Sequence, residues 1–257
     1  MPLLLFWNRK PVDMNARSTN LTDHVAGVVG RAIVSGEYAT GAVFKIDDLC
    51  VRFSASRTVM REAIKALTAK GMVTSRASMG SMAQPESAWN LSDPDVLNWY
   101  LHAKGNRLPL VREFNDFRIA IEPTAAALAA RQSDSMAIAK IDAALARMYA
   151  AERGEDDSLD ADVAFHEAIL FATGNRFFIN MRHTIDVALH ISIGITNRSK
   201  AVAVASASDH AKVADAIRAG DESGAHAAML ALLVEARRLL RAPEPVTQPL
   251  VTPPPSA

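Results

Sequence analysis

Hydrophobic positions along this chain recur mostly at helical spacing. In the first segment Leu21, Val25, Val28, Ala32 and Ile33 return every three or four residues, until Ser35-Gly36 stops the pattern. Glu37 to Val43 reads as a loop. A second segment sets Ile46, Leu49, Cys50 and Phe53 on one face, and the break Ser54-Ala55-Ser56 follows. A third places Met60, Ala63, Ile64 and Leu67 inward before Gly71 ends it. The period then changes. In MVTSRASMGSMA, residues 72–83, Val73 and Thr74 favour strand and Gly80 favours a turn, which predicts a small hairpin. Three helices and a hairpin describe a winged helix-turn-helix.

Residues 85–95, with Trp89 and Pro94, read as a linker. From there the pattern predicts helices at 94–104, 108–131, 134–151, 156–173, 176–197, 207–219 and 221–241. Breaks fall at Gly105, Ser133, Gly154, Gly174-Asn175 and Gly220, while Ala and Leu abound within the segments. No strand pattern interrupts them, so the expected fold is mainly α. It comprises an N-terminal winged helix-turn-helix over 18–84 and a C-terminal all-α antiparallel bundle over 96–241. Residues 1–17 are expected to be a poorly ordered leader, and the Pro-rich tail 242–257 a disordered one.

Composition sharpens this picture. Of 257 residues, 49% are hydrophobic and 22% charged, which excludes a disordered chain and suits two domains. Cys50 is the one cysteine, so no disulfide framework exists and a reducing cytoplasm fits. No apolar run approaches the ~18–20 residues that span a bilayer. In MPLLLFWNRK the positive charge follows a short apolar run, the reverse of a signal peptide. The formal net charge of +0 hides an asymmetry: residues 1–83 hold 11 Lys+Arg against 6 Asp+Glu, and the remainder 17 against 22. A basic head on an acidic body suits DNA binding by the head alone.

The third segment carries the chemistry for this. Ser56 can cap it, and Arg57, Arg61 and Lys65, spaced by four, share the face opposite Met60 and Ile64. Guanidinium groups at the start of an exposed helix grip phosphate or pair with guanine in the major groove. The candidate DNA-contacting set is Arg57, Thr58, Arg61, Lys65, Arg76 and Gly80. A solvated charged face is the competing reading, and the short turn, the preceding helix and the hairpin weigh against it.

At this point the residues carry a family resemblance. LCVRFSASRTVMREAIKALTAKGMV, Leu49 to Val73, resembles the GntR family of bacterial regulators. FRIAIEPTAAALAAR (Phe117 to Arg131), DVAFHEAILFATGN (Asp162 to Asn175) and DHAKVADAIRAGD (Asp209 to Asp221) resemble its FadR-type branch, which has a helical FCD ligand domain. Together these cover about residues 20–240. WNLSDPDVLNWYL, Trp89 to Leu101, is similar to the linker of regulators of sugar-acid catabolism. The resemblance implies that Arg57 and Arg61 contact DNA and that Gly80 is the wing-tip glycine. Two departures stand out: Asp47 where many members carry arginine, and Ser78 in place of a frequent second wing glycine.

In the helical part, Asp162 and His166 lie four apart on one predicted helix and His210 on a later one. An Asp and two His from two helices suit a divalent metal such as Zn²⁺, and an i,i+4 Asp-His pair also reads as a local hydrogen bond. The resemblance implies that these three match metal ligands of FCD domains, with Zn²⁺ expected and Ni²⁺ or Mn²⁺ as alternatives. The family's fourth ligand is commonly a histidine of the last helix, where this chain has Leu232; His226 falls on another face. Three protein ligands leave an open position, for an effector carboxylate or hydroxyl, or at the cost of weaker metal binding. Arg118 matches an arginine that holds acidic effectors in this domain, and equally suits a bridge to Glu122. His190, between Leu189 and Ile191, reads first as a core or surface histidine and is a second candidate for lining the pocket.

These readings combine into a cytoplasmic DNA-binding regulator, of repressor type, without a membrane segment. It is expected to be a homodimer on an imperfect palindromic operator, controlled by a small carboxylate or sugar acid. A metal-dependent helical-bundle enzyme is the alternative. Against it, the chain shows no nucleophile-base pair, no glycine-rich phosphate loop and no second carboxylate-histidine set for a two-metal centre.

Overall fold

The computed structural model describes residues 21–76, 80–103, 108–196 and 206–241. The expected leader and tail, Ser78, Gly105 and the side chain of Arg76 lie outside the described residues. The chain forms two compact units, residues 1–105 and 106–257.

The first unit holds α1 (Leu21–Val34), β1 (Val43–Phe44), α2 (Ile46–Arg52), α3 (Arg57–Ala69), β2 (Val73–Arg76), β3 (Gly80–Ala83), a 3₁₀ turn at Glu86–Ala88 and α4 (Pro94–His102). Ser56 caps α3 as expected: its Oγ accepts the Val59 N–H at 3.3 Å. Met60, Ala63, Ile64 and Leu67 are buried, and together with Val29, Leu49 and Phe44 they form one core. β3 pairs antiparallel with β2, Arg76 opposite Gly80, and also with β1 on its other edge. That third strand falls within and just after the expected loop. Its two residues are too few for alternation to show in the sequence, and the sheet recruits them to cover the open edge of β3.

The stretch expected as a linker is docked on this unit. Gly71 takes a φ of +74°, and a Cβ there would lie 2.2 Å from the Ala88 carbonyl oxygen. Asn90 N–H donates to the Lys70 carbonyl at 3.0 Å. The Lys70 ammonium reaches both Asp93 oxygens at 2.7 and 2.8 Å and Asp95 at 3.0 Å, and stands 5.8 Å from the Trp99 ring centroid. Trp99, in α4, packs over Gly30 of α1, where a Cβ would meet its ring at 2.4 Å. Thus α4, which the sequence reading assigns to the helical domain, packs within the first unit.

The second unit is a helical bundle: α5 (Leu108–Gln132), α6 (Ser135–Glu152), α7 (Ser158–Ala172), α8 (Arg176–Thr196), α9 (Ala207–Arg218) and α10 (Glu222–Arg241). Asp134 and Asp157 cap α6 and α7. Phe165, Ile141, Ile169, Leu170, Leu189 and Leu233 fill the core. α5 packs along α10 and also meets α7 and α9, so polar residues on the inner faces of these helices are brought to one place. Among the described residues no helix is long and apolar enough to cross a membrane.

Candidate functional site

In the head, α3 presents Arg57, Thr58, Arg61 and Lys65 to solvent, opposite its buried face. Two of the cations are engaged. Lys65 pairs with Glu62 at 2.7 Å, one turn away on the same helix. Arg57 donates to Asp47 of α2 at 2.8 Å, so the residue that departs from the family pattern meets the leading candidate for DNA contact. Arg61 shows no ion-pair partner among the described residues. Gly80 opens β3 at a φ of +88°, and a Cβ there would stand 3.0 Å from the Phe44 carbonyl oxygen. A side chain at this position would be strained twice, by backbone conformation and by contact.

If Arg57 contacts DNA, Asp47 competes for it. Asp47→Asn is expected to strengthen operator binding and to steepen its salt dependence by about one in log–log slope, because one more cation reaches phosphate. Arg61→Ala is expected to weaken binding by about 1–3 kcal/mol if it reads a base. Fluorescence anisotropy across a salt series reads both. Equal slopes in wild type and Asp47→Asn would remove the competition.

The second unit brings Asp162 and His166 of α7 together with His210 of α9, one ligand atom from each lying within 4.8 Å of the others. All three are buried, His210 at 0% exposure and His166 at 2%. His210 Nε2 stands 2.9 Å from Asp162 Oδ1, and His166 Nε2 3.7 Å from the same oxygen. The opposite nitrogen of His210 accompanies the Ser206 carbonyl at 3.1 Å, which fixes the ring. His210 Nε2 is buried without a hydrogen-bond partner: with Nδ1 donating to the Ser206 carbonyl, Nε2 of a neutral ring carries a lone pair and faces the carboxylate 2.9 Å away. A carboxylate and imidazole nitrogens that converge without bonding one another fit a divalent cation. Leu232 is buried in the core of α10 and supplies no ligand, and His226 is exposed.

α5 contributes two more charges. Arg118 donates through Nε to Glu122 Oε1 at 2.6 Å and through one terminal nitrogen to Oε2 at 3.3 Å. That same terminal nitrogen lies 3.1 Å from His166 Nε2. Glu122 in turn sits 2.6 Å from His166 Nδ1. Arg118 thus bridges to Glu122 and touches the clustered histidine at once. In the sequence Glu122 stands out only as a partner for Arg118. Its position between that arginine and Pro123 in FRIAIEP is the available signal for a role beside the histidine. Burial raises the Glu122 carboxyl, but Arg118 and His166 outweigh it and bring it from 4.5 down to about 2. Burial raises Asp162 too, and His210, His166 and Arg118 bring it from 3.8 to about 2. Both groups are therefore anions at neutral pH.

His190 has partners of its own. Its Nδ1 lies 2.8 Å from Asp186 of its own helix and its Nε2 3.2 Å from Asp160 of α7. Hydrogen bonding to Asp186 dominates over burial and lifts the imidazole from 6.5 to about 9. Glu167 is nearby on α7; burial and Asp186 raise its carboxyl from 4.5 to about 7, against Arg182 and His190. A folded-state value above the unfolded one means stabilisation that is complete below the unfolded value and lost as pH rises through the folded one. The His190 contribution is thus lost between pH 6.5 and about 9. The urea midpoint of the helical unit, followed by circular dichroism, should fall across that window, and His190→Gln should flatten the fall.

Comparison with known proteins agrees with this architecture. The family model for bacterial regulatory proteins of the gntR family matches residues 21–82, and that for the FCD domain matches residues 113–235. The galactonate operon transcriptional repressor of Escherichia coli (strain K12) is 29% identical over 234 residues, 86% of this chain and 97% of that protein. The HTH-type transcriptional regulator YieP of the same organism is 31% identical over 222 residues, 85% of this chain and 94% of YieP. Among solved structures, Lar, which controls expression of the Listeria monocytogenes agr system, shares the fold at a TM-score of 0.57 and 17% identity, over 86% of this chain and 96% of Lar. A winged helix-turn-helix joined to a helical FCD domain defines a transcription regulator, and the enzymatic alternative is set aside by the family and its relatives. This chain belongs to the GntR family of bacterial regulatory proteins.

Proposed function

We propose that this regulator is a cytoplasmic repressor whose operator binding is controlled by a small acidic metabolite, of the sugar-acid class, at a divalent-cation site in the helical unit. The observation that carries the reading is the convergence of Asp162, His166 and His210 within 4.8 Å, with His210 Nε2 buried and unbonded. Similarity to a galactonate operon repressor supports the choice of a sugar acid. In this reading Asp162, His166 and His210 hold the cation, Zn²⁺ by ligand type with Ni²⁺ or Mn²⁺ as alternatives. When bound, the cation supplies Lewis-acid attraction for a carboxylate or hydroxyl. The chain's own residues do the rest. Glu122 orients His166 through Nδ1, Arg118 offers a guanidinium to the anion, and Leu232 keeps a protein ligand out of the position the effector takes. Arg57, Thr58, Arg61, Lys65 and Arg76, with the Gly80 turn, form the DNA-reading surface, and His190 supports the α7–α8 pairing.

One recognition helix reads few base pairs, so we infer a homodimer on an imperfect palindrome. The deciding experiment titrates galactonate calorimetrically into metal-free protein, Zn²⁺-loaded protein and a His166→Ala/His210→Ala variant shown to be folded by circular dichroism. Heat only in the Zn²⁺-loaded wild type is the expected result. Equal affinity in all three would end the metal's part in it, and full-affinity binding of a monomer to a single half-site would end the palindrome.

A further inference from the structure

One nitrogen in the second unit has two claimants. His166 Nε2 faces Asp162 Oδ1 at 3.7 Å, and Arg118 donates to it at 3.1 Å. A neutral imidazole has one acceptor lone pair, so Nε2 can accept a guanidinium hydrogen bond or coordinate a cation, but not both. A guanidinium can only donate, so its contact at 3.1 Å places the lone pair on Nε2 and the hydrogen on Nδ1, the ring nitrogen that lies 2.6 Å from Glu122.

We propose that Arg118 is a placeholder: without a cation its guanidinium caps the Nε2 lone pair of His166, and cation binding at Asp162, His166 and His210 frees that N–H for an anionic ligand. The inference rests on the cation reading given above and adds an order of events to it. Charge points the same way. With neutral imidazoles the buried set of Arg118, Glu122 and Asp162 carries one net negative charge, which attracts a cation and repels a carboxylate. A divalent cation turns that sum to one net positive charge, which a single carboxylate neutralises. Arg118 stays anchored by its Nε bond to Glu122 at 2.6 Å, so the freed terminal nitrogen remains at the site. The anion therefore follows the cation, and a monocarboxylate is the matching charge class.

The test uses the full chain and Co²⁺, whose visible absorption reports its coordination, with a chelator as competitor. The double substitution Arg118→Met/Glu122→Gln removes the competing donor and leaves the net charge of the set unchanged, and the introduced amide oxygen can still accept from Nδ1 of His166. This variant should bind Co²⁺ roughly ten- to hundredfold more tightly than wild type, the equivalent of one hydrogen bond to a charged group. Arg118→Lys keeps the charge without the fork and should also bind more tightly. Acetate, the minimal carboxylate, should perturb the Co²⁺ spectrum of wild type and do so at least tenfold less well in the double variant (about 1.4 kcal/mol or more). Unchanged or weaker Co²⁺ binding in both folded variants overturns the placeholder while leaving the cation site standing. Absence of Co²⁺ binding in wild type overturns the cation site itself.

Discussion

Glu122→Ala should destabilise the helical unit by roughly 3–5 kcal/mol, the cost of breaking a buried ion pair from one side. Glu122 and Arg118 are both buried, at 1% and 6% exposure, so alanine would strand a guanidinium away from water. The remaining partner, His166, cannot neutralise it. The two units can be read separately in one experiment, because residues 106–257 contain no tryptophan. In urea, the far-ultraviolet circular dichroism midpoint should drop while the tryptophan fluorescence midpoint stays. Glu122→Gln, which keeps an acceptor, should lose less. A shift of under ~1 kcal/mol in the helical transition would show that Arg118 finds another partner or water, and that the pair is not the anchor described above.

Gly71→Ala should act on the other unit. The position has a φ of +74°, and its Cβ would stand 2.2 Å from a backbone oxygen, that of Ala88. Left-handed backbone at a non-glycine residue costs about 1–3 kcal/mol, and forced overlap in a packed region about 1–3 kcal/mol more. The obstacle is main chain and cannot swing aside. Relief has to come from lifting the 86–91 segment off the end of α3, where Asn90 holds the Lys70 carbonyl. The fluorescence midpoint should therefore fall and the helical transition remain, the inverse of Glu122→Ala. Because α3 carries the proposed DNA-contacting side chains, operator affinity should fall as well. An unaltered fluorescence transition would mean that the 86–91 segment yields without cost.

How much of this is legible in the sequence follows the range of the interactions. Helix positions are legible because the buried stripe of α3 and its Ser56 cap are local: each depends on neighbours within a turn. The pairing of Asp162 with His166 is legible for the same reason. β1 is not, since its two residues acquire strand geometry only from the edge of β3. Nor is the pairing of Arg57 with Asp47, which joins two helices across a turn and uses a residue notable only as a departure. The docking of α4 rests on Trp99 meeting Gly30, 69 positions earlier, and no periodicity announces a glycine kept small for a distant ring. Arg118 reads in the sequence as ligand contact or as ion pair. Its third role, as donor to His166, needs α5 and α7 in register.

The Trp99–Gly30 contact and the Lys70 clamp on Asp93 also bear on how this protein can be cut and recombined. A chimaera spliced at residues 85–95, where composition invites the cut, would leave Gly27 and Gly30 facing a foreign helix, and Lys70 without its two carboxylates. A junction after His102 keeps α4 with the surface shaped for it. For a regulator assembled from interchangeable parts, the transferable DNA-binding module is therefore the head together with α4, residues 18–102, about a quarter longer than the stretch 18–84 that its motif suggests.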